Sequence, residues 1–188
     1  MILGYSISGP DNDSYLNEEL YGKNICECLK YIRNRENYIS PELTIKKTKY
    51  DFSYTYDSAT IVSQIFKDFC EKENFKNIEF HQLKRQKGFY LFKVNRIIKF
   101  DSKRRKTKFL EYNESCDEYN EVIGATPICL KENKELKTGF FRTDIEFGRG
   151  YAKGYDILVD IGTFEKMKKE KLKGLYGEEI LHKYNWEK

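Results

Sequence analysis

Proline is scarce in this 188-residue chain, with three in all, and glycine reaches only 12. A collagen-like or linker-rich, disordered polypeptide is thereby excluded. Histidine occurs twice, at His81 and His182, in no shared motif, which leaves little for acid–base catalysis. No stretch approaches the roughly 18 apolar residues of a membrane span. The N-terminus, MILGYSISGPDND, has neither a basic n-region nor a useful apolar h-region, so neither secretion nor membrane insertion is expected. Five cysteines are present, an odd number, and no C-x-x-C pair. A disulfide framework or zinc knuckle is therefore not expected, and reduced thiols in a cytoplasm fit better. Cys26 and Cys28 lie two apart in a helical pattern, on different faces, which is poor spacing for chelation. No metal or cofactor is expected.

What the chain does have is aromatic and charged side chains. Hydrophobic residues make up 39% and charged residues 34%, so the core must lean on 15 Tyr and 13 Phe. Net charge is +4, a mild value with an uneven distribution. Residues 84–108 carry eleven Lys or Arg and one acid, Asp101; residues 109–130 carry five acids and no Lys or Arg. The adjacent contrast says more about surfaces than the total does.

Periodicity predicts an α+β protein, a mostly antiparallel sheet with a few packed helices. Residues 2–8 read as a strand and 24–33 as a helix with Ile25, Leu29 and Ile32 on one stripe. Two short strands follow at 43–47 and 52–56, the second, FSYTY, rich in residues that favour a pleated surface. FYLFKV (89–94) and IIKF (97–100) are further strands, residues 103–106 a charged turn, and 111–122 a long acidic loop. Gly139 opens a strand, and GRGYAKG (148–154) reads as a surface turn whose Arg149 and Lys153 are its only anion-holding side chains.

One stretch organises the rest. TIVSQIFKDFCEKENFKNIEF (60–80) reads as strand, helix, turn and strand, with Ser63 as N-cap and Ile65, Phe66, Phe69 and Cys70 on the apolar face. ILVDIGTFEKMKKEKLKGLYG (157–177) repeats it 97 residues later. At that offset Asp160 stands for Ser63, two interchangeable caps, and Gly174 for Asn77, the residue types that most readily turn left-handed. In the helices Phe164 and Met167 match Phe66 and Phe69 only with a one-residue slip. Duplication and convergence on a common β-α-β unit both fit. The 188 residues read as a single domain with an N-terminal subregion, 1–56, before the two units.

IVSQIFKDFCEKENFKNIEFHQL, the following YLFKVNRIIKFD, and GFFRTDIEFG with ILVDIGTFEKMKKEKLKGLYGEEI together resemble a family of bacterial immunity proteins associated with polymorphic or contact-dependent toxins. The likeness covers 57–184, roughly two-thirds of the chain. Its motifs are apolar and turn patterns. The paired C-x-x-C elements of some relatives are missing, since the middle region holds only Cys116 and Cys129. The resemblance implies a cytoplasmic protein that binds and neutralises a cognate toxin without catalysis.

Two binding surfaces stand out. Glu111, Glu114, Asp117, Glu118 and Glu121, with Tyr112 and Tyr119 interleaved, suit a basic protein partner: acids steer encounter, and tyrosine is enriched among residues that dominate binding energy. Alternatively, the basic segment 84–108, with Phe89, Tyr90 and Phe92, could track phosphates and stack bases, although no nucleic-acid-binding signature accompanies it. An enzyme is not expected. No serine lies in a nucleophile elbow, and GRGYAKG is neither a Walker loop nor a dinucleotide fingerprint.

Overall fold

A computed structural model describes residues 1–23 and 25–186; the expected helix start at Asn24 lies outside them. The fold is α+β, with two antiparallel sheets. In chain order the elements are β1 (Ile2–Ser8), α1 (Ile25–Arg33), β2 (Phe52–Tyr54), β3 (Thr60–Ser63), α2 (Gln64–Lys72), β4 (Ile78–Gln82), β5 (Phe89–Val94), β6 (Ile97–Ile98), α3 (Ser102–Arg105), β7 (Lys108–Asn113), β8 (Glu118–Ile123), β9 (Phe140–Arg149), β10 (Gly154–Val159), α4 (Ile161–Lys169) and β11 (Tyr176–Leu181). One sheet runs β2-β3-β5-β4. The other runs β11-β1-β10-β9-β8-β7, with β6 joined to β9 in parallel.

The two repeats are the same object. β3 and β4 are both antiparallel to β5, which lies between them, so they are parallel to each other and joined by α2. β10 and β11 relate to β1 in the same way, joined by α4. Register agrees strand by strand. Val62 sits between Phe52 and Tyr90, as Val159 sits between Phe140 and Tyr5. The middle strand differs in origin: in the first unit it follows β4 directly, and in the second it comes from the N-terminus. The N-terminal strand is thus an internal strand of the larger sheet.

Both helices start on the expected caps. Ser63 accepts from the Phe66 N–H and Asp160 from the Thr163 N–H. Both end alike: Asn74 and Lys171, then Asn77 and Gly174, have positive φ. Asn tolerates that conformation and Gly favours it. At Gly174 a side chain is also excluded by space, since a Cβ would stand 2.7 Å from the Phe52 carbonyl oxygen. The one-residue slip is confined to the side chains: Phe66, Phe69, Phe164 and Met167 are all buried. The helices coincide at the constant offset, and only the face changes: Thr163 takes the place of Phe66, and Phe164 that of Lys67. Phe164 stacks on Tyr5 with centroids 4.1 Å apart, where Lys67 Nζ lies 5.2 Å over Tyr90. The C-caps Glu73 and Glu170 each pair with a lysine of the other helix, Lys166 at 2.5 Å and Lys72 at 2.6 Å. The two pairs tie the helices to each other, although their lysines stand at different positions of the repeat.

The pleat explains the cores. Val62, Phe92 and Val94 point into a core shared by both units, with Phe66, Phe69, Phe140, Val159, Phe164 and Met167. Ile61 and Leu91, one residue out of step, face a second core under α1 with Ile25, Cys28, Tyr31 and Ile32. Leu3, Phe141 and Leu158 face a third, on the far side of the larger sheet. In the first core, Phe66 lies among Phe52, Phe92 and Phe140 at centroid distances of 5.2–6.0 Å.

Three expected elements differ, the first being the charged turn at 103–106, which is the one-turn helix α3 capped by Asp101. Residues 43–47 form no strand, although Leu43 and Ile45 are buried in alternation. The Gln86 side-chain amide takes the role of a neighbouring strand, its Oε1 accepting from Ile45 N–H at 2.7 Å and its Nε2 donating to Ile45 O. Residues 111–122 are not a long loop: they fall within the hairpin of β7 and β8. All its residues but Val122 are half-exposed or exposed, so the hydrophobic alternation that betrays a strand is missing.

Candidate interaction hairpin and adjoining cleft

The hairpin is built locally. Lys108 pairs with Ile123, Phe109 with Val122, Leu110 with Glu121, Tyr112 with Tyr119 and Asn113 with Glu118. Asn113 turns the chain by accepting from the Ser115 N–H at 3.0 Å, and Asp117 closes the turn with positive φ. Tyr112 donates to Asp117 at 2.5 Å, and its ring lies 5.1 Å from that of Tyr119. β7 is the outermost strand of its sheet, and every residue from Lys108 to Tyr112 is exposed. Phe109, Leu110, Tyr112 and Ile123 place apolar area in solvent, with Tyr112 51% exposed.

Long-range contacts anchor it. Cys26, on α1, and Cys116, in the hairpin turn, form a disulfide with Cα atoms 5.5 Å apart. This corrects the expectation of five reduced thiols. An odd count excludes complete pairing and says nothing of a single pair, and the fold brings together residues 90 positions apart. Cys28, Cys70 and Cys129 are buried thiols. Glu118 accepts from Arg33 at 2.6 Å and lies 3.3 Å from Lys153 Nζ, which also donates to Tyr119 O. The Lys153 side chain is only 1% exposed. Removing Glu118 would leave that ammonium buried without its counter-charge.

The seven acidic and tyrosine positions therefore divide. Glu118 faces inward. Glu111 pairs with Arg149 at 2.9 Å and accepts from Asn120. Asp117 is held by Tyr112, and Tyr119 is half-buried against Phe109 and Tyr112. Glu114 is exposed at the turn, and Glu121 is half-buried opposite Leu110. Phe109, Leu110 and Ile123 supply the apolar component of the surface and lie outside the acidic and tyrosine pattern of 111–121 that marks the segment in sequence. Arg149 and Lys153 do not form an open anion turn, since both are paired with acids of the hairpin.

The basic segment 84–108 is not one stripe. Lys93 pairs with Glu36, Lys99 with Asp144 and Arg85 with Glu42. Arg96 lies 4.3 Å over the Phe141 ring, and Arg105 donates to Thr126 O. Tyr90 and Phe92 are buried.

Beside the hairpin a cleft of about 440 Å³ opens where β9 lacks a neighbour between β6 and β8. It continues into a smaller cavity of about 80 Å³, and Arg33, Arg142 and Tyr155 line both. On its other edge β9 bulges against β10: from Arg142 to Glu146, β9 spans four steps while β10 spans two, Ile157 to Tyr155. A bulge re-aims side chains, and here it presents Arg142 and Glu146 to Tyr155. The Arg142 guanidinium lies 3.9 Å over the Tyr155 ring, and Tyr155 donates to Glu146. Burial, then the Glu146 carboxylate, push the Tyr155 phenol up to about 12, so it remains a donor at neutral pH. Opposite the bulge, burial pushes the Asp156 carboxyl up to about 6, with Glu178 adding to it, and its Oδ2 is buried without a hydrogen-bond partner. In the sequence Arg142, Asp144 and Glu146 recur at every second residue of β9, and nothing in that spacing announces the bulge.

Among the described residues no group of three or more His, Cys, Asp or Glu is placed to hold a metal ion, and no helix is long and apolar enough to cross a membrane. No family model matches the chain. No curated protein and no solved structure matches it either.

Proposed function

We propose that the protein is a non-catalytic immunity protein that docks its β7–β8 hairpin onto a cognate bacterial toxin in the cytoplasm. The observation that carries this reading is the exposed outer edge of β7, which displays Phe109, Leu110 and Tyr112 on an anchored hairpin. Open edge strands invite pairing with another chain, and natural proteins usually cover or charge them. Aromatic anchors ringed by acids give such an edge both affinity and a preference for a basic partner. The family likeness of the two β-α-β units supports the same class of function. In a reducing cytoplasm Cys26 and Cys116 would stand as thiols, and Arg33 and Lys153 would still hold the hairpin through Glu118.

The test is co-expression with the toxin-like product of the adjacent gene. Rescue from toxicity and co-purification are expected, both lost in a Leu110→Ala/Tyr112→Ala double variant that keeps its melting temperature. Absence of rescue by the unmodified chain would sink the reading. Rescue that survives the double variant would retain the function and remove the hairpin from it.

A further inference from the structure

We propose that the 80 Å³ cavity at the junction of α1, β5, β9 and β10 is a binding site for a short-chain organic carboxylate, independent of the hairpin's partner. Four cations line it, Arg33, Arg35, Lys93 and Arg142, against one acid, Glu36. Lys93 is engaged by Glu36 at 2.5 Å and Arg33 by Glu118 at 2.6 Å. Arg35 and Arg142 have no carboxylate in ion-pair reach among the described residues. Arg35 donates its terminal nitrogens to the carbonyls of Ser58 and Lys153, and its Nε is buried with no partner. A buried charged donor left unpaired is costly and calls for an acceptor. The Tyr155 ring orients the Arg142 guanidinium, and a planar guanidinium suits a carboxylate in a two-pronged contact.

The rest of the lining selects among anions. Ile32, Leu91, Phe92, Val94 and Ile157 make an apolar wall. It suits a hydrocarbon tail; of the two hydroxyl residues that also line the cavity, Ser58 and Thr60, Ser58 is committed to Ala152 O. The volume of about 80 Å³ corresponds to roughly five to eight water positions, too few for a nucleotide. Pairing of a monoanionic head with Arg35 and Arg142 and of a short tail with the wall uses both kinds of lining.

Titration of the full chain with valerate, its neutral analogue valeramide, and inorganic phosphate tests this, read by backbone amide shifts. Saturable shifts at Val94, Arg142 and Tyr155 are expected with valerate alone. Arg142→Gln should weaken binding by about tenfold or more, with partial recovery in Arg142→Lys. No saturable response to valerate overturns the proposal. So does an equal response to valeramide, binding of phosphate in place of valerate, or unchanged affinity in folded Arg142→Gln. If that variant fails to fold, the valerate–valeramide comparison on the unmodified chain decides alone.

Discussion

The doubled β-α-β core and the β7–β8 hairpin follow opposite rules. In the core, β3 is buried throughout and β5 nearly so, both helices are capped, and aromatic rings interlock between the two units. In the hairpin, side chains that would suit a core remain in solvent, and stability comes from a few long-range ties: one disulfide, Arg33 and the buried Lys153. A fold that can bury Phe66 completely while leaving Phe109 and Tyr112 outside has not run out of core. The apolar surface is confined to an edge, where another chain can reach it.

That contrast can be broken at its strongest point first. Phe66→Ala removes the centre of the aromatic cluster, and a loss of about 3–5 kcal/mol is expected from the missing contacts and the cavity, measured by urea unfolding. Asp156→Asn is expected to act in the other direction. The folded carboxyl, at about 6, lies above its ordinary 3.8. The fold therefore favours the protonated form, and stability falls as pH rises between those values. The variant should remove that fall and be more stable at pH 8 by roughly 2–3 kcal/mol, visible as a difference between unfolding curves at pH 4 and pH 8.

The caps sharpen the comparison between the units themselves. Ser63→Ala and Asp160→Ala should each cost about 1 kcal/mol in the same unfolding assay. That figure is a lower bound for both, because Ser63 Oγ also donates to the buried Asp51 at 2.7 Å and Asp160 also accepts from the Gly139 N–H at 2.8 Å. Smallest of all, Leu110→Ala or Tyr112→Ala should change stability by no more than about 0.5 kcal/mol, as surface changes do. A loss above 2 kcal/mol for either would make the hairpin part of the core and end the contrast.

Legibility follows the same division. The units could be read because their signals are local: Ser63 and Asp160 cap within three residues, and Asn77 and Gly174 turn by their own backbone preference. The helices agree less well than the turns because only their backbone positions coincide; Thr163 and Phe66 share a place without sharing chemistry. The hairpin escaped because exposed strands need no alternation. The Leu43–Ile45 segment misled because alternating burial does not require a strand partner when Gln86 supplies one. The cleft was hidden because it opens where β9 lacks a neighbour, which no residue type in β9 announces.

By itself the sequence determined the α+β class, both β-α-β units, their caps and their turns, since each is fixed by interactions a few residues long. Only the tertiary structure decided that β1 completes the second unit, that Cys26 meets Cys116, that Lys153 is buried on Glu118, and that Arg35 and Arg142 share a cavity. Those outcomes join residues 35 to about 150 positions apart. They depend on how the chain closes in space, which local propensity does not encode.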